Sequence, residues 1–347
     1  MLKDFLDFND LTLQEWEDIF DLAEKIHSGP EIYAKYCGGK ILATLFYEPS
    51  TRTRFSIQTA MYKLGGVSIG FSGTAGSSVT KGESLKDTIK MVENYADIIA
   101  IRHPRDGAAL AASLYSGVPV INAGDGKHLH PTQTLTDLFT IGKFKKFTGQ
   151  NIGICGDLLN GRTAHSFLRA FSLYSGNNFY LISAPDFKMP EKYTEHLKQN
   201  NKIYIREKIT DCINELDILY MTRLQRDRIE EKLGRISDDL ILDKPKLSGA
   251  KNDLMVLHPL PRNEEIDVEV DADERALYFK QAGFGVYIRM ALLIMLLENK
   301  NKNLPGFTGS DKRCKNSNCI TNDKTDTSGL PDLAGQHGVC AYCEHLL

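Results

Sequence analysis

The sequence predicts an α/β protein made of two doubly wound parallel-sheet domains in series, with a small cysteine-bearing module at the C-terminal end. Three observations point there. Short apolar runs alternate with amphipathic stretches through about residue 300. Polar clusters sit where the apolar runs end, which is where parallel sheets gather ligands. Four of the seven cysteines crowd into the last 34 residues.

Taken in order, Thr12 to Ile26 has the period of an amphipathic helix, with Thr12 as N-cap and Glu15 at capping-box spacing. Ile41 to Phe46 is short and apolar, a buried strand. It leads through Ser50-Thr51-Arg52-Thr53-Arg54 into a helix from Phe55 that Gly65 closes. Val67 to Phe71 reads as a strand, and a Gly/Ser/Thr-rich loop separates it from a helix over Ser84 to Tyr95. Ile98 to Ile101 and Val118 to Asn122 are further strands. A helix over Thr132 to Lys145 joins this first round to a second, with strands at Asn151 to Cys155, Asn178 to Ile182, Ile218 to Tyr220 and Leu254 to Leu257. An apolar helix from Gly285 to Glu298 ends the body. From Lys300 the chain turns polar, with Pro and Gly, as a linker does. No repeat of solenoid length is present.

The 347 residues are 42% hydrophobic and 25% charged, enough for sizeable cores. A net charge of −3 points to neither nucleic acid nor an anionic membrane. The longest apolar run, Ala291 to Leu297, is far short of the roughly 20 residues that cross a bilayer. The acidic start, M-L-K-D-F-L-D-F, lacks the form of a signal peptide, so a cytoplasmic location is the expectation.

The chemistry lies at strand ends. Ser50 to Arg54 places three hydroxyls and two guanidinium groups between a strand and a helix, where free N–H groups and the helix dipole favour an anion. That combination favours phosphate binding over solvated arginines. The loop Ser77-Ser78-Val79-Thr80-Lys81-Gly82-Glu83 reads, taken alone, as ordinary surface. Arg102-His103-Pro104 follows a strand. His130-Pro131-Thr132-Gln133 follows a glycine turn, and a histidine there suits polarising a carbonyl or capping a helix. In the second domain Gly161-Arg162-Thr163 lacks dinucleotide-binding spacing. Arg223 and Gln225 alternate after a strand, and His258-Pro259-Leu260-Pro261-Arg262 closes another. These clusters are rich in Arg, hydroxyl and amide groups and poor in carboxylate pairs. They suit holding two anionic substrates and stabilising developing negative charge, that is, group transfer from a phosphate-bearing donor.

Cys314-x4-Cys319 and Cys340-x2-Cys343 are two chelating pairs separated by 20 residues. Four thiolates fit a closed structural zinc site. His337 and His345 are spare candidates, read here as solvated. Cys37, Cys155 and Cys212 read as buried thiols.

At these residues the chain resembles the carbamoyltransferases, and among them the aspartate carbamoyltransferase catalytic chain, over about residues 1–300. The motifs S-T-R-T-R, S-x-x-K-G-E, R-H-P, H-P-T-Q, G-R-T, R-x-Q and H-P-L-P-R occur in that order. The resemblance implies a carbamoyl-phosphate-binding domain over 1–131 and an aspartate-binding domain over 132–300, the helix near 285–298 packing back on the first. It implies that Ser50, Thr51, Arg52 and Thr53 grip the phosphate of carbamoyl phosphate. Thr53, Arg102 and His130 would contact its carbonyl oxygen, and Gln133 with the carbonyls of Pro259 and Leu260 its amino group. Arg162, Arg223 and Gln225 would bind the carboxylates of L-aspartate. Ser78 (or Ser77) and Lys81 would reach the neighbouring subunit's site, making a homotrimer with shared sites in the cleft between domains. No cofactor is implied for the chemistry.

An ornithine carbamoyltransferase is the nearby alternative. It is disfavoured because the late loop lacks a cysteine and because a second arginine suits aspartate's extra carboxylate. The tail, R-C-K-N-S-N-C and V-C-A-Y-C-E-H, resembles the zinc domain of the aspartate carbamoyltransferase regulatory chain. That implies a module over 308–347 with a structural or assembly role and a route to higher assembly. A noncatalytic zinc-containing scaffold is the reading from a different class.

Overall fold

The computed structural model describes residues 3–8, 11–195, 197–223, 238–298, 308–323, 330–335 and 338–347. Strands form where the short apolar runs lie: β1 (Ile41–Phe46), β2 (Val67–Ser72), β3 (Ile98–His103) and β4 (Val120–Asp125). They pair in parallel in the order β2-β1-β3-β4. The inner strands β1 and β3 are covered on both faces, which is why they read as continuous apolar runs without alternation. β2 is an edge and stays largely exposed.

Helices α1 (Leu13–Ser28), α2 (Thr51–Lys63), α3 (Leu85–Val92) and α4 (Ala108–Tyr115) accompany this sheet. Thr12 caps α1 with the full capping box, its hydroxyl accepting from Glu15 N while the Glu15 carboxylate accepts from Thr12 N. α2 starts at Thr51 rather than Phe55, so the hydroxyl- and arginine-rich stretch is itself the first helical turn. α4 was not anticipated from the sequence. Its run A-A-L-A-A-S-L-Y is buried on nearly every side, so it has no polar face to give a helical period.

The second sheet comprises β5 (Asn151–Cys155), β6 (Asn178–Ile182), β7 (Lys202–Arg206), β8 (Ile218–Met221) and β9 (Met255–Leu257). All pairings are parallel, in the order β7-β6-β5-β8-β9. Helices α5 (Pro131–Gly142), α6 (Arg162–Phe171), α7 (Lys244–Ser248) and α8 (Tyr278–Glu298) complete the body.

The chain divides into two compact units: Met1–Thr132 with Gly285–Leu347, and Gln133–Phe284. It passes from one to the other within α5 and returns within α8. By length and composition α8 could cross a membrane, yet 56% of its apolar window is buried in the protein. Its Arg289 donates to Ser56 Oγ and to the carbonyls of Gly285 and Thr132. Such internal pairing belongs to a core helix.

The cysteine segment packs on the first unit. Cys314, Cys319, Ile320, Cys340 and Tyr342 share one apolar cluster with Leu110, Ala111 and Tyr115. The backbone of Asp106 receives Ile320 N–H at 3.0 Å and donates to the Asn318 carbonyl at 3.1 Å. The Asp106 carboxylate accepts from the side-chain amides of Asn316 at 3.1 Å and Asn318 at 2.9 Å. Gly107 has φ +80°, and a Cβ there would come within 2.5 Å of Tyr342. That close approach requires glycine. A two-stranded ribbon of β10 (Thr308–Gly309) and β11 (Leu333–Ala334) finishes the module.

Candidate active site and metal site

In the first unit the ends of three adjacent strands bring together residues far apart in sequence. β1 delivers Ser50 to Arg54 onto the start of α2. Ser50 is the N-cap, but its side chain makes no capping bond and no acid occupies the first turn. The dipole end of a 13-residue helix is thus left to attract an anion. Thr51 and Arg52 are exposed and Thr53 is buried. Partial burial holds the Arg52 guanidinium below its ordinary pKa.

Arg102, the penultimate residue of β3, is in register with Phe46 of β1. Tyr47 N donates to the Arg102 carbonyl at 2.8 Å, and the Arg102 guanidinium faces Glu48 at 3.4 Å. Beyond β4, His130 is buried, with Nε2 lying 3.4 Å from Thr53 Oγ1 and Nδ1 lying 3.4 Å from Thr132 Oγ1. The structure therefore brings Thr53 and His130 together. Ser78 and Lys81 bound a short 3₁₀ turn and are both exposed. Ser77 donates its hydroxyl to the Thr74 carbonyl at 2.7 Å.

In the second unit the loops after β5, β8 and β9 lie at one sheet edge because those strands are parallel neighbours. Arg162 opens α6 behind an uncapped N-terminus. Arg223 is exposed just past β8. Between their strands Thr222 donates N–H to the Cys155 carbonyl at 2.7 Å. Gly156, with φ +137°, leaves no room for a Cβ against Thr222. Gln225 lies outside the described residues. After β9, Leu260 N–H donates to His258 Nδ1 at 2.7 Å, and Arg262 pairs with Asp271 and Tyr278, holding the loop that carries Pro259 and Leu260.

Gln133 donates from Nε2 to Asp137 at 2.7 Å, one helical turn on. Asp137, Gln281 and Glu265 are buried polar residues outside the sequence motifs, and His258, which opens H-P-L-P-R, is buried as they are. One signal was available, since Gln133 and Asp137 stand at i, i+4 on one helix face.

The four C-terminal cysteines are buried free thiols whose sulfurs lie within 4.8 Å of one another. Cys314 and Cys343 are 3.5 Å apart and Cys319 and Cys340 are 3.9 Å apart, far beyond the roughly 2 Å of a disulfide. Burial pushes the Cys314 thiol up to about 12. A cluster of four buried thiols at this spacing could hold a metal ion. His337 lies outside the described residues, and His345 is two residues past the last cysteine, at the surface.

Residues 3–143 match the family described as aspartate/ornithine carbamoyltransferase, carbamoyl-P binding domain, and residues 148–296 match its Asp/Orn binding domain. Fold and site together define a carbamoyltransferase. The aspartate carbamoyltransferase catalytic subunit of Clostridium novyi (strain NT) is 55% identical over 300 residues, covering 85% of this chain and 98% of the relative. That of Clostridium acetobutylicum is 53% identical over 300 residues, with the same coverage. Among solved structures, the catalytic subunit of M. jannaschii aspartate transcarbamoylase superposes with a TM-score of 0.80 at 42% identity, covering 86% of this chain and 98% of that one. Aspartate transcarbamoylase from Trypanosoma cruzi in complex with N-(phosphonacetyl)-L-aspartic acid gives 0.79 at 32% identity, covering 84% and 95%. The chain belongs to the aspartate carbamoyltransferase catalytic subunit family. The family match ends at residue 296, before the cysteine segment.

Proposed function

We infer that the chain transfers the carbamoyl group of carbamoyl phosphate to the amine of L-aspartate, giving N-carbamoyl-L-aspartate and phosphate, a step of de novo pyrimidine biosynthesis in the cytoplasm. The observation that carries this is the meeting of Thr53 and His130 beside the open N-terminus of α2, in a chain of this family. Ser50, Thr51, Arg52 and Thr53 hold the phosphate there. Thr53, Arg102 and His130 direct donors or positive charge at the carbonyl oxygen as it gains negative charge. Gln133 and the carbonyls of Pro259 and Leu260 receive the carbamoyl N–H groups. Arg162, Arg223 and Gln225 take the two carboxylates of aspartate.

The amine nitrogen attacks the carbamoyl carbon to form a tetrahedral intermediate. Its collapse breaks the bond from carbon to the phosphate oxygen, and the amine's proton leaves on the phosphate. No side chain need act as general base, in keeping with the scarcity of carboxylate pairs at these strand ends. The chemistry calls for no cofactor, nucleic acid or membrane.

The catalytic unit is a homotrimer in which Ser78 and Lys81 serve a neighbouring subunit's site. Supporting this, the exposed edge strand β2 carries Val67 and Ile69, and Met91 and Tyr95 of the adjacent helix region are also exposed. Ile69, Phe71, Val79, Met91 and Tyr95 help line a hollow of about 310 Å³ beside Ser78. An uncovered apolar edge of this kind suits a subunit interface.

The cysteine module holds a structural Zn²⁺. Four zinc–sulfur bonds of about 2.3 Å at tetrahedral angles would set the sulfurs about 3.8 Å apart, close to the spacing of both pairs. Its likeness to the regulatory-chain zinc domain supports an assembly role, with a route to larger assemblies.

The test is carbamoyl transfer by purified protein with L-aspartate and L-ornithine side by side. Product with aspartate alone is expected. Product with ornithine alone would overturn the charge argument for the amino-acid pocket, and activity with neither would favour a scaffold.

A further inference from the structure

A run of buried hydrogen bonds in the second unit links Gln133 to the loop bearing Pro259 and Leu260. Asp137 is fully buried and takes three donors: Gln133 Nε2 at 2.7 Å, Gln281 Nε2 at 2.6 Å and Tyr220 OH at 2.7 Å. Gln281, also fully buried, uses its other end to accept His258 N–H at 3.0 Å. The His258 ring accepts Leu260 N–H on Nδ1 at 2.7 Å, which puts the ring proton on Nε2. Nε2 then donates to the buried Glu265 carboxylate at 2.9 Å. Asn263 N–H donates to the same oxygen at 3.1 Å.

The direction of every bond in this run is set by two carboxylates. An ionised carboxylate only accepts, so each neighbour must turn a donor toward it. Gln133 therefore commits its amide nitrogen to Asp137 and turns its amide oxygen the other way. Gln281 is oriented by the same rule, and its oxygen fixes the backbone at His258. The His258 ring, oriented by Glu265, draws the Leu260 N–H inward. Gln133 Oε1 and the carbonyls of Pro259 and Leu260 then offer a ligand acceptors and no donors.

We propose that Asp137, with Gln281 and His258, is a specificity-determining positioning residue that makes the site demand an N–H-bearing group on the donor. It selects a carbamoyl phosphate against an acyl phosphate of the same size that carries a methyl group instead. This rests on the assignment of Gln133, Pro259 and Leu260 to the carbamoyl amino group. Replacing Asp137 by Asn puts an N–H₂ among the donors and frees Gln133 to rotate its own nitrogen outward. The acceptor is then lost without loss of volume.

The experiment uses acetyl phosphate as a competitive inhibitor of carbamoyl transfer and reads the ratio of its Ki to the KM for carbamoyl phosphate. In D137N that ratio falls roughly 10- to 100-fold, the size expected when a donor loses its acceptor, while the KM for aspartate changes little. Tyr220→Phe removes a hydrogen bond from the same carboxylate without altering the polarity of Gln133, so it keeps the ratio even if stability drops. Should D137N not fold, Gln281→Met, of similar length with neither donor nor acceptor, carries the test and narrows the ratio likewise. Gln133→Ala separates the two layers. If it leaves the ratio unchanged, the assignment of the amino-group site is wrong. If it collapses the ratio while folded D137N (or Q281M) does not, the positioning role is refuted.

Discussion

Nε2 of His128 lies 3.4 Å from the Glu344 carboxylate, so the C-terminal module touches the loop that presents His130 two residues later. Nδ1 of the same ring faces Asp125 at 3.2 Å. Burial alone would lower the pKa of this imidazole, but the two carboxylates outweigh it and hold His128 well above its ordinary value. Glu344 follows the last cysteine directly and has φ +58°.

Removal of the module is therefore expected to reach the active site. Deleting residues 308–347 uncovers Asp106, Gly107 and the apolar start of α4, and it leaves His128 with one carboxylate fewer. We expect a lower thermal midpoint and reduced kcat. A strong chelator should lower the midpoint of the intact protein in the same direction, with about one zinc released per chain. Unfolding curves and metal analysis check this, and unchanged assembly and activity in the deletion would remove the role.

Arg52→Ala removes a planar donor fork beside the N-terminus of α2. The expected loss in kcat/KM for carbamoyl phosphate is about 10²–10³-fold, as for loss of one strong anion donor. Steady-state kinetics decides it, and near-normal values would dismiss the phosphate loop.

Arg162→Gln keeps hydrogen-bonding capacity at the start of α6 but deletes the charge. The KM for aspartate should rise about 10- to 100-fold while that for carbamoyl phosphate stays within about threefold. Equal changes in both would place Arg162 elsewhere in the reaction.

His103 predicts a pH effect on stability. Burial is the main cause that lowers its pKa to about 4, and Arg105 adds to it, against the opposing pull of Asp323 and Asp125. Its Nδ1 accepts Arg105 N–H at 3.1 Å, so the native ring is neutral. Between about pH 6.5 and 4 the unfolded chain binds a proton that the native chain refuses. Stability therefore falls as pH drops through that window, by roughly 3 kcal/mol at its foot. Denaturant titrations at several pH values should show this slope flattened in His103→Asn.

The fold was legible because parallel strands buried on both faces must be apolar throughout. Ile41–Phe46, Asn151–Cys155 and Asn178–Ile182 have the bounds read from sequence. α4 escaped because a helix buried all round has no period. α8 begins at Tyr278 instead of Gly285 because its length comes from packing that offsets two internal glycines. The candidate site residues stand out as motifs, each following a strand. Their support was hidden: Asp137 meets Tyr220 and Gln281 across 83 and 144 residues, a proximity that only the folded sheet creates.

Asp106 and Gly107 receive the cysteine module from the same polypeptide. Docking within one chain runs at an effective concentration on the order of millimolar, whatever the protein concentration. Dilution that would strip a separate subunit from this face leaves it covered. A competing protein would have to displace a tethered rival that is replenished at one copy for every catalytic chain.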